Sequence, residues 1–196
     1  DQFENGNLGW TVELLPGGDP ATTWQLGTPA FGATTGAHSG SNAWDINLAS
    51  AYTGNANVAL ISPIFDFTNV TLAGISFWIN YNTEGFWDGT RLEYSLNGTT
   101  WIQMGNAGAG PPYFNWYNNN MNCSATDGWN GNSNGWIKAE MKNLASLGLA
   151  GQGYVQFRFV FCADAIIQVD GFSMDDFCIE IPQPFDAGVP SINSPV

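Results

Sequence analysis

Across residues 154–161, apolar and polar side chains alternate. Val155, Phe157, Phe159 and Phe161 fall on one side, and Tyr154, Gln156, Arg158 and Val160 on the other. A period of two is that of a β-strand with one face in a core. Ile75, Phe77, Ile79 and Tyr81 repeat it, as do Leu92, Tyr94 and Leu96, which leaves Glu93 and Arg158 on outward faces. Over residues 136–144, Ile137, Ala139 and Met141 alternate with Lys138, Glu140 and Lys142, the pattern of a half-exposed strand. Near the end of the chain, Asp175 shares its parity with Phe177, Ile179 and Ile181, while Asp176 shares that of Met174 and Cys178. One aspartate is therefore expected to point inward. Residues 105–135 show no clear strand, and a loop of that length inside a compact domain is usually functional.

Composition sharpens this reading. The chain has 196 residues, enough for one sizeable core, with 24 Gly, 13 Phe, 9 Trp and 6 Tyr. Long stretches rich in Ala, Glu, Lys and Leu are missing, so short strands joined by tight turns are expected and helix is not. The predicted class is all-β, an antiparallel jelly-roll β-sandwich spanning residues 1–182. Pro182, Pro184 and Pro190 then break the sheet pattern, and 183–196 reads as a linker and the start of a following module in a longer protein. A net charge of −13 leaves no basic stripe to displace counterions from nucleic acid or to meet an anionic membrane. No apolar run approaches the roughly 20 residues that span a bilayer. Scarce Lys and an acidic balance fit a secreted or cell-surface protein. Of Cys123, Cys162 and Cys178, at most one pair can form an internal disulfide; buried free thiols are an equal alternative, and Cys123–Cys162 is the pair to expect if one exists.

The two ends of the chain belong together. It opens Phe3-Glu4-Asn5-Gly6 and Gly9-Trp10, and closes Asp170-Gly171-Phe172-Ser173-Met174-Asp175-Asp176-Phe177. In a jelly roll the first and last strands can lie side by side, which would bring Glu4 to Asp175 and Asp176. With 17 acids against four Lys and Arg, grouped carboxylates need a cation, and oxygen donors suit Ca2+. The candidate metal set is Glu4, Asp45 and Asp176, completed by Asp175, Asn42 or Asn5 and main-chain carbonyls; ordinary surface acids capping turns are the alternative.

These ends resemble those of bacterial jelly-roll domains related to the MAM and cleaved-adhesin types. Between them, Trp24-Gln25-Leu26-Gly27-Thr28-Pro29, Ser39-Gly40-Ser41-Asn42-Ala43-Trp44-Asp45, Leu60-Ile61-Ser62-Pro63 and Leu92-Glu93-Tyr94-Ser95 fall in the order expected of that group. The resemblance covers residues 1–181. It implies an accessory domain of a large secreted or surface protein, of the sort found in adhesins and exported peptidases and glycosidases. Such an architecture hosts many functions, so a ligand has to be argued from residues.

Two loops offer a second acidic site at one end of the sandwich. Glu84 and Asp88 flank Phe86 and Trp87 in one, and the other runs from Asp164 to Asp170. Aromatic faces beside hydrogen-bonding carboxylates suit a sugar; equally, Trp87 can serve as a lid on the core. Trp116, Tyr117 and Trp129 in the 105–135 stretch offer either a binding platform or the private core that a large packed loop requires. Catalysis has little support. The one histidine, His38, rules out the common zinc-hydrolase signatures, and no nucleophile elbow is present. The expected function is a non-catalytic, calcium-stabilised binding or adhesion module. Its expected partner is a glycan or polysaccharide; the alternative is a structural spacer or accessory domain contacting a cell-surface protein.

Overall fold

Alternation becomes strand nearly everywhere the sequence shows it. The computed structural model describes residues 2–181, so the linker expected at 183–196 lies outside the described residues. In chain order the strands are β1 (Thr11–Leu14), β2 (Trp24–Gly27), β3 (Ala43–Ile46), β4 (Asn57–Ile61), β5 (Gly74–Asn82), β6 (Gly89–Ser95) and β7 (Ile102–Gln103). There follow β8 (Tyr113–Phe114), β9 (Asn119–Met121), β10 (Thr126–Gly128), β11 (Ile137–Met141), β12 (Gln156–Cys162) and β13 (Gly171–Glu180). One 3-10 turn, Leu144–Leu147, precedes β12. Among the described residues no helix is long and apolar enough to cross a membrane.

Two antiparallel sheets face each other, one in the order β1-β4-β12-β6-β7 and the other β2-β3-β13-β5-β11-β8, with β9 and β10 as a separate hairpin. Apart from the pairs β2–β3 and β6–β7, sequence neighbours in these two sheets are split between them, as expected of a jelly-roll sandwich. The inward set of β12 (Phe157, Phe159 and Phe161) and Phe77 of β5 are fully buried. The Phe77 ring meets Phe159 edge-on at 5.0 Å and Trp129 at 5.7 Å, and lies parallel to Phe177 at 6.2 Å. Each such ring contributes about 1.5–3 kcal/mol through burial, plus the preference of aromatic quadrupoles for edge contacts.

Three expectations fail locally. Leu96 was expected inward, but β6 ends at Ser95 and Leu96 is exposed in the turn that follows. In β13 the pairing with β5 slips between Asp175 and Cys178, and Asp176 adopts φ 51°. This β-bulge inserts a residue, so Met174 and Phe177 both reach the core, and Asp175 does not share the side of Phe177. Residues 105–135 are not one irregular loop, since β8, β9 and β10 lie within them.

Nor are Trp116, Tyr117 and Trp129 a binding platform. All three are buried and packed on one another, with Tyr117 and Trp129 rings 4.7 Å apart. Their polar tips find backbone partners: Trp116 Nε1 donates to the Met104 carbonyl, Trp129 Nε1 to that of Asn115 and the Tyr117 hydroxyl to that of Leu92. With those groups satisfied, burial of the rings is favourable, and they join the sandwich core, Trp116 and Trp129 against Phe77 and Trp129 also against Phe172.

Cys123 is disulfide-bonded to Cys162, tying the β9–β10 turn to the end of β12, while Cys178 is an exposed free thiol. The bridge closes a loop with a sequence separation of 39. Loop-closure entropy then puts the loss of unfolding free energy in a Cys123→Ala/Cys162→Ala variant at about 2–4 kcal/mol, read from denaturant unfolding; a variant as stable as the parent would contradict this.

Candidate functional site

The six residues between β5 and β6, 83–88, carry Glu84, Phe86, Trp87 and Asp88. Trp87 and Asp88 both donate their N–H groups to the Glu84 carbonyl, which closes the turn and throws the Phe86 and Trp87 side chains outward. Phe86 is 63 % exposed and Trp87 42 %, so Trp87 is not a lid on the core. Asp88, by contrast, is fully buried. Its Oδ1 accepts the Asp164 N–H at 2.7 Å and its Oδ2 the Tyr52 hydroxyl at 2.8 Å, so one carboxylate joins the 84–88 turn to the loop after β12. The same hydroxyl accepts the Glu84 N–H and lies 3.4 Å from the Ile167 carbonyl.

Glu84, Asp88 and Asp164 each present an oxygen within 4.8 Å of the others, forming among the described residues an acidic group with the geometry to hold a metal ion. Glu84 Oε2 is shielded from solvent without a hydrogen-bond partner. Burial pushes Asp88 up to about 6, with the neighbouring Asp164 and Glu84 charges adding to the shift. Desolvation also raises Glu84, again with the Asp164 charge contributing. Three carboxylates pressed together without a cation favour partial protonation, and a bound cation reverses that preference.

Asp170 stands apart from this group, although the sequence placed it there. Its Oδ2 accepts the Ala33 and Thr34 N–H groups, an anchor for the connection between β2 and β3. The first candidate metal set serves the same connection. Glu4 Oε1 accepts the Ser41 and Asn42 N–H groups at 2.9 and 2.7 Å. Asp175 Oδ2 accepts those of His38 and Ser39, both at 3.0 Å. Asp176 takes His38 Nδ1 on one oxygen at 2.6 Å and the Ser39 hydroxyl on the other at 2.7 Å. Asp45 Oδ1 accepts the Ser173 hydroxyl at 2.7 Å. These acids therefore line up along residues 33–42 rather than converging as Glu84, Asp88 and Asp164 do. Asn42 contributes its amide N–H to Glu4.

Gly32 and Gly40 permit this arrangement. Both have positive φ, and a Cβ at either would collide with the carboxyl group of Asp170 or Glu4, respectively. His38 stacks on Trp78 with ring centroids 3.7 Å apart and completes the flap over the outer face of β5 and β13.

Sequence reasoning missed Tyr52, whose hydroxyl organises the acidic group from a loop far away in the chain and which no local pattern marks. It also missed Ile166 and Ile167, 67 % and 58 % exposed beside Asp164. Two adjacent isoleucines in a loop bounded by Asp164 and Asp170 were the available signal. Ile167 sits at φ 57°, an uncommon conformation for a β-branched residue.

No protein-family model and no curated protein matches this chain. Solved structures do share its fold. The carbohydrate-binding module TmCBM61, solved in complex with β-1,4-galactotriose, is 15 % identical over 92 % of this chain and 94 % of its own, with a TM-score of 0.55. The K3 cleaved adhesin domain of Lys-gingipain from Porphyromonas gingivalis is 17 % identical over 91 % and 95 %, with a TM-score of 0.52. The K2 cleaved adhesin domain of Lys-gingipain is 20 % identical over 92 % and 96 %, at 0.50. The chain thus has the β-sandwich fold of cleaved-adhesin domains and carbohydrate-binding modules, in agreement with the resemblance read from its motifs.

Burial raises Asp45 to about 7, the nearby Asp170 charge adding to the shift while Ser173 and Thr34 oppose it. A carboxyl raised in the folded state binds more protons there than in the unfolded chain, so stability falls as pH rises from about 4, the ordinary aspartate range, to about 7. Asp45→Asn should flatten that decline in thermal melts run in metal-free buffer across pH 4–8. Parallel profiles for the two proteins would show that Asp45 does not titrate in this window.

Proposed function

We propose that this domain is a non-catalytic carbohydrate-binding module of a secreted or cell-surface protein, docking a glycan on the edge formed by Phe86 and Trp87. The observation that carries the reading is the juxtaposition of two outward aromatic rings with the Glu84–Asp88–Asp164 group. A pyranose stacks its C–H face on an aromatic ring while its hydroxyls donate to nearby carboxylates. The similarity in fold to a module solved with β-1,4-galactotriose supports a β-linked galactose oligomer as the first probe.

Calcium is the cation we assign to Glu84, Asp88 and Asp164. It takes six to eight oxygen ligands in flexible geometry, and carboxylates with neighbouring backbone carbonyls supply that chemistry. Its role here is to neutralise three crowded charges and fix the turn that bears Trp87. The unpartnered Glu84 Oε2 supports this assignment.

A second reading, an accessory domain that contacts protein, is favoured by the equally good fit to cleaved adhesin domains. The two separate on ligand. Calorimetric titration should give binding of β-1,4-galactotriose that weakens about tenfold or more in Trp87→Ala, with an unchanged melt. Absence of saccharide binding by the folded, calcium-loaded domain would favour protein contact.

Millimolar calcium acting on a site of micromolar affinity adds about 4 kcal/mol to the folded state. The melting temperature should accordingly rise by several degrees with calcium, and Glu84→Gln or Asp164→Asn should abolish the rise. A melt indifferent to both calcium and chelator would remove the metal from the proposal.

A further inference from the structure

A groove of about 350 Å3 runs beside the acidic edge, bounded by Pro16, Gly17, Asn57, Ser124, Arg91 and the Cys123–Cys162 bridge. That volume suits a single sugar ring. Arg91 is the only ionisable side chain along its walls, in a chain with 17 acids and four bases.

The environment of Arg91 adds to this charge. Its Nε donates to Glu93 Oε1 at 2.6 Å, and Arg158 Nε donates to Glu93 Oε2 at 2.6 Å, so two cations share one carboxylate. The trio keeps a surplus positive charge. Arg158 is held from above by the Trp101 ring, 4.3 Å from its guanidinium carbon. Arg91 Nη1 is shielded from solvent and meets no acceptor. A buried guanidinium N–H without a partner costs free energy, so the Glu93 pairing leaves Arg91 short of acceptors.

The wall of the groove is tied to the aromatic edge through the backbone. Cys123 donates its N–H to the Trp87 carbonyl at 3.0 Å, and Ala163, at the groove, immediately precedes Asp164. At net charge −13 the whole domain repels polyanions at long range, but at physiological ionic strength that field is screened beyond about 8 Å. Short-range pairing in the groove then decides.

We propose that this groove binds an anionic sugar residue, its carboxylate or sulfate oxygens taken by the Arg91 guanidinium, which would make the domain selective for acidic over neutral polysaccharide. The proposal rests on the carbohydrate-binding reading above. With Nε given to Glu93, the contact expected of an oxyanion is a single charge-assisted hydrogen bond to the groove side of the guanidinium, supported by the surplus charge of the trio.

The test is calorimetric titration at about 0.15 M salt, near physiological ionic strength, with three trisaccharides: β-1,4-galactotriose, trigalacturonate and a sulfated galactotriose. The wild type should bind a charged trisaccharide about tenfold or more tightly than the neutral one, and the preferred charged probe identifies the oxyanion. Arg91→Gln should erase the preference. Ser124→Tyr, which fills the groove from an outer turn, should do the same without touching the Glu93 pair, so a poorly folded Arg91→Gln does not block the test. Galactotriose binding with no preference for charge overturns the groove proposal and leaves the carbohydrate reading standing. A preference that survives Trp87→Ala but not Ser124→Tyr supports the groove and overturns the Trp87 edge. Failure of all three saccharides to bind overturns both.

Discussion

Carboxylates bonded to backbone N–H groups hold this sandwich in its working shape. In a chain so short of Lys and Arg, most acids cannot be neutralised by side chains, and the backbone takes over. Glu4, Asp170 and Asp175 each accept two main-chain amides from the connection between β2 and β3, and Asp88 accepts one from the loop after β12. Charge-assisted bonds of this kind are roughly twice as strong as neutral ones. They fasten loops to sheets where a larger apolar interface would otherwise be required.

Burial of the acids has a price in acidity. Asp45, Asp88 and Asp175 are raised above the ordinary aspartate range, in each case chiefly by desolvation. Asp175 is satisfied by the amides of His38 and Ser39, and Asp45 by the hydroxyls of Ser173 and Thr34. Asp88 differs because two further carboxylates stand beside it. Similar burial thus accompanies structural anchors at one place and a crowded acidic group with the geometry to hold a metal ion at another; the difference lies in how many carboxylates converge.

The β-strands were legible because alternation reports directly on a two-sided sheet, and β5 and β12 appear where the Phe and Ile pattern puts them. The bulge in β13 was not, since its extra residue preserves composition and changes only parity, so Asp175 was read on the wrong side. The 84–88 turn could be read from its aromatic-acid juxtaposition. Asp170 and Glu4 were recognised as residues that need partners, but the partners are amides of residues 33–42, and backbone donors leave no mark in a sequence. Tyr52 escaped for a related reason, because its role depends on a contact with Asp88 across 36 positions of chain. The buried Trp116, Tyr117 and Trp129 show the limit of counting aromatics: a ring-rich loop reads the same whether its rings face water or one another.

The Cys123–Cys162 bridge gives the aromatic edge a particular thermodynamic character. Asn122 and Cys123 donate their N–H groups to the carbonyls of Phe86 and Trp87, so the cross-link to β12 also restrains the turn that bears those rings. The turn is ordered when the domain folds and oxidises, before any partner arrives. Association at this edge therefore loses little backbone entropy, and its affinity is set by contact and desolvation rather than by the ordering of a loop.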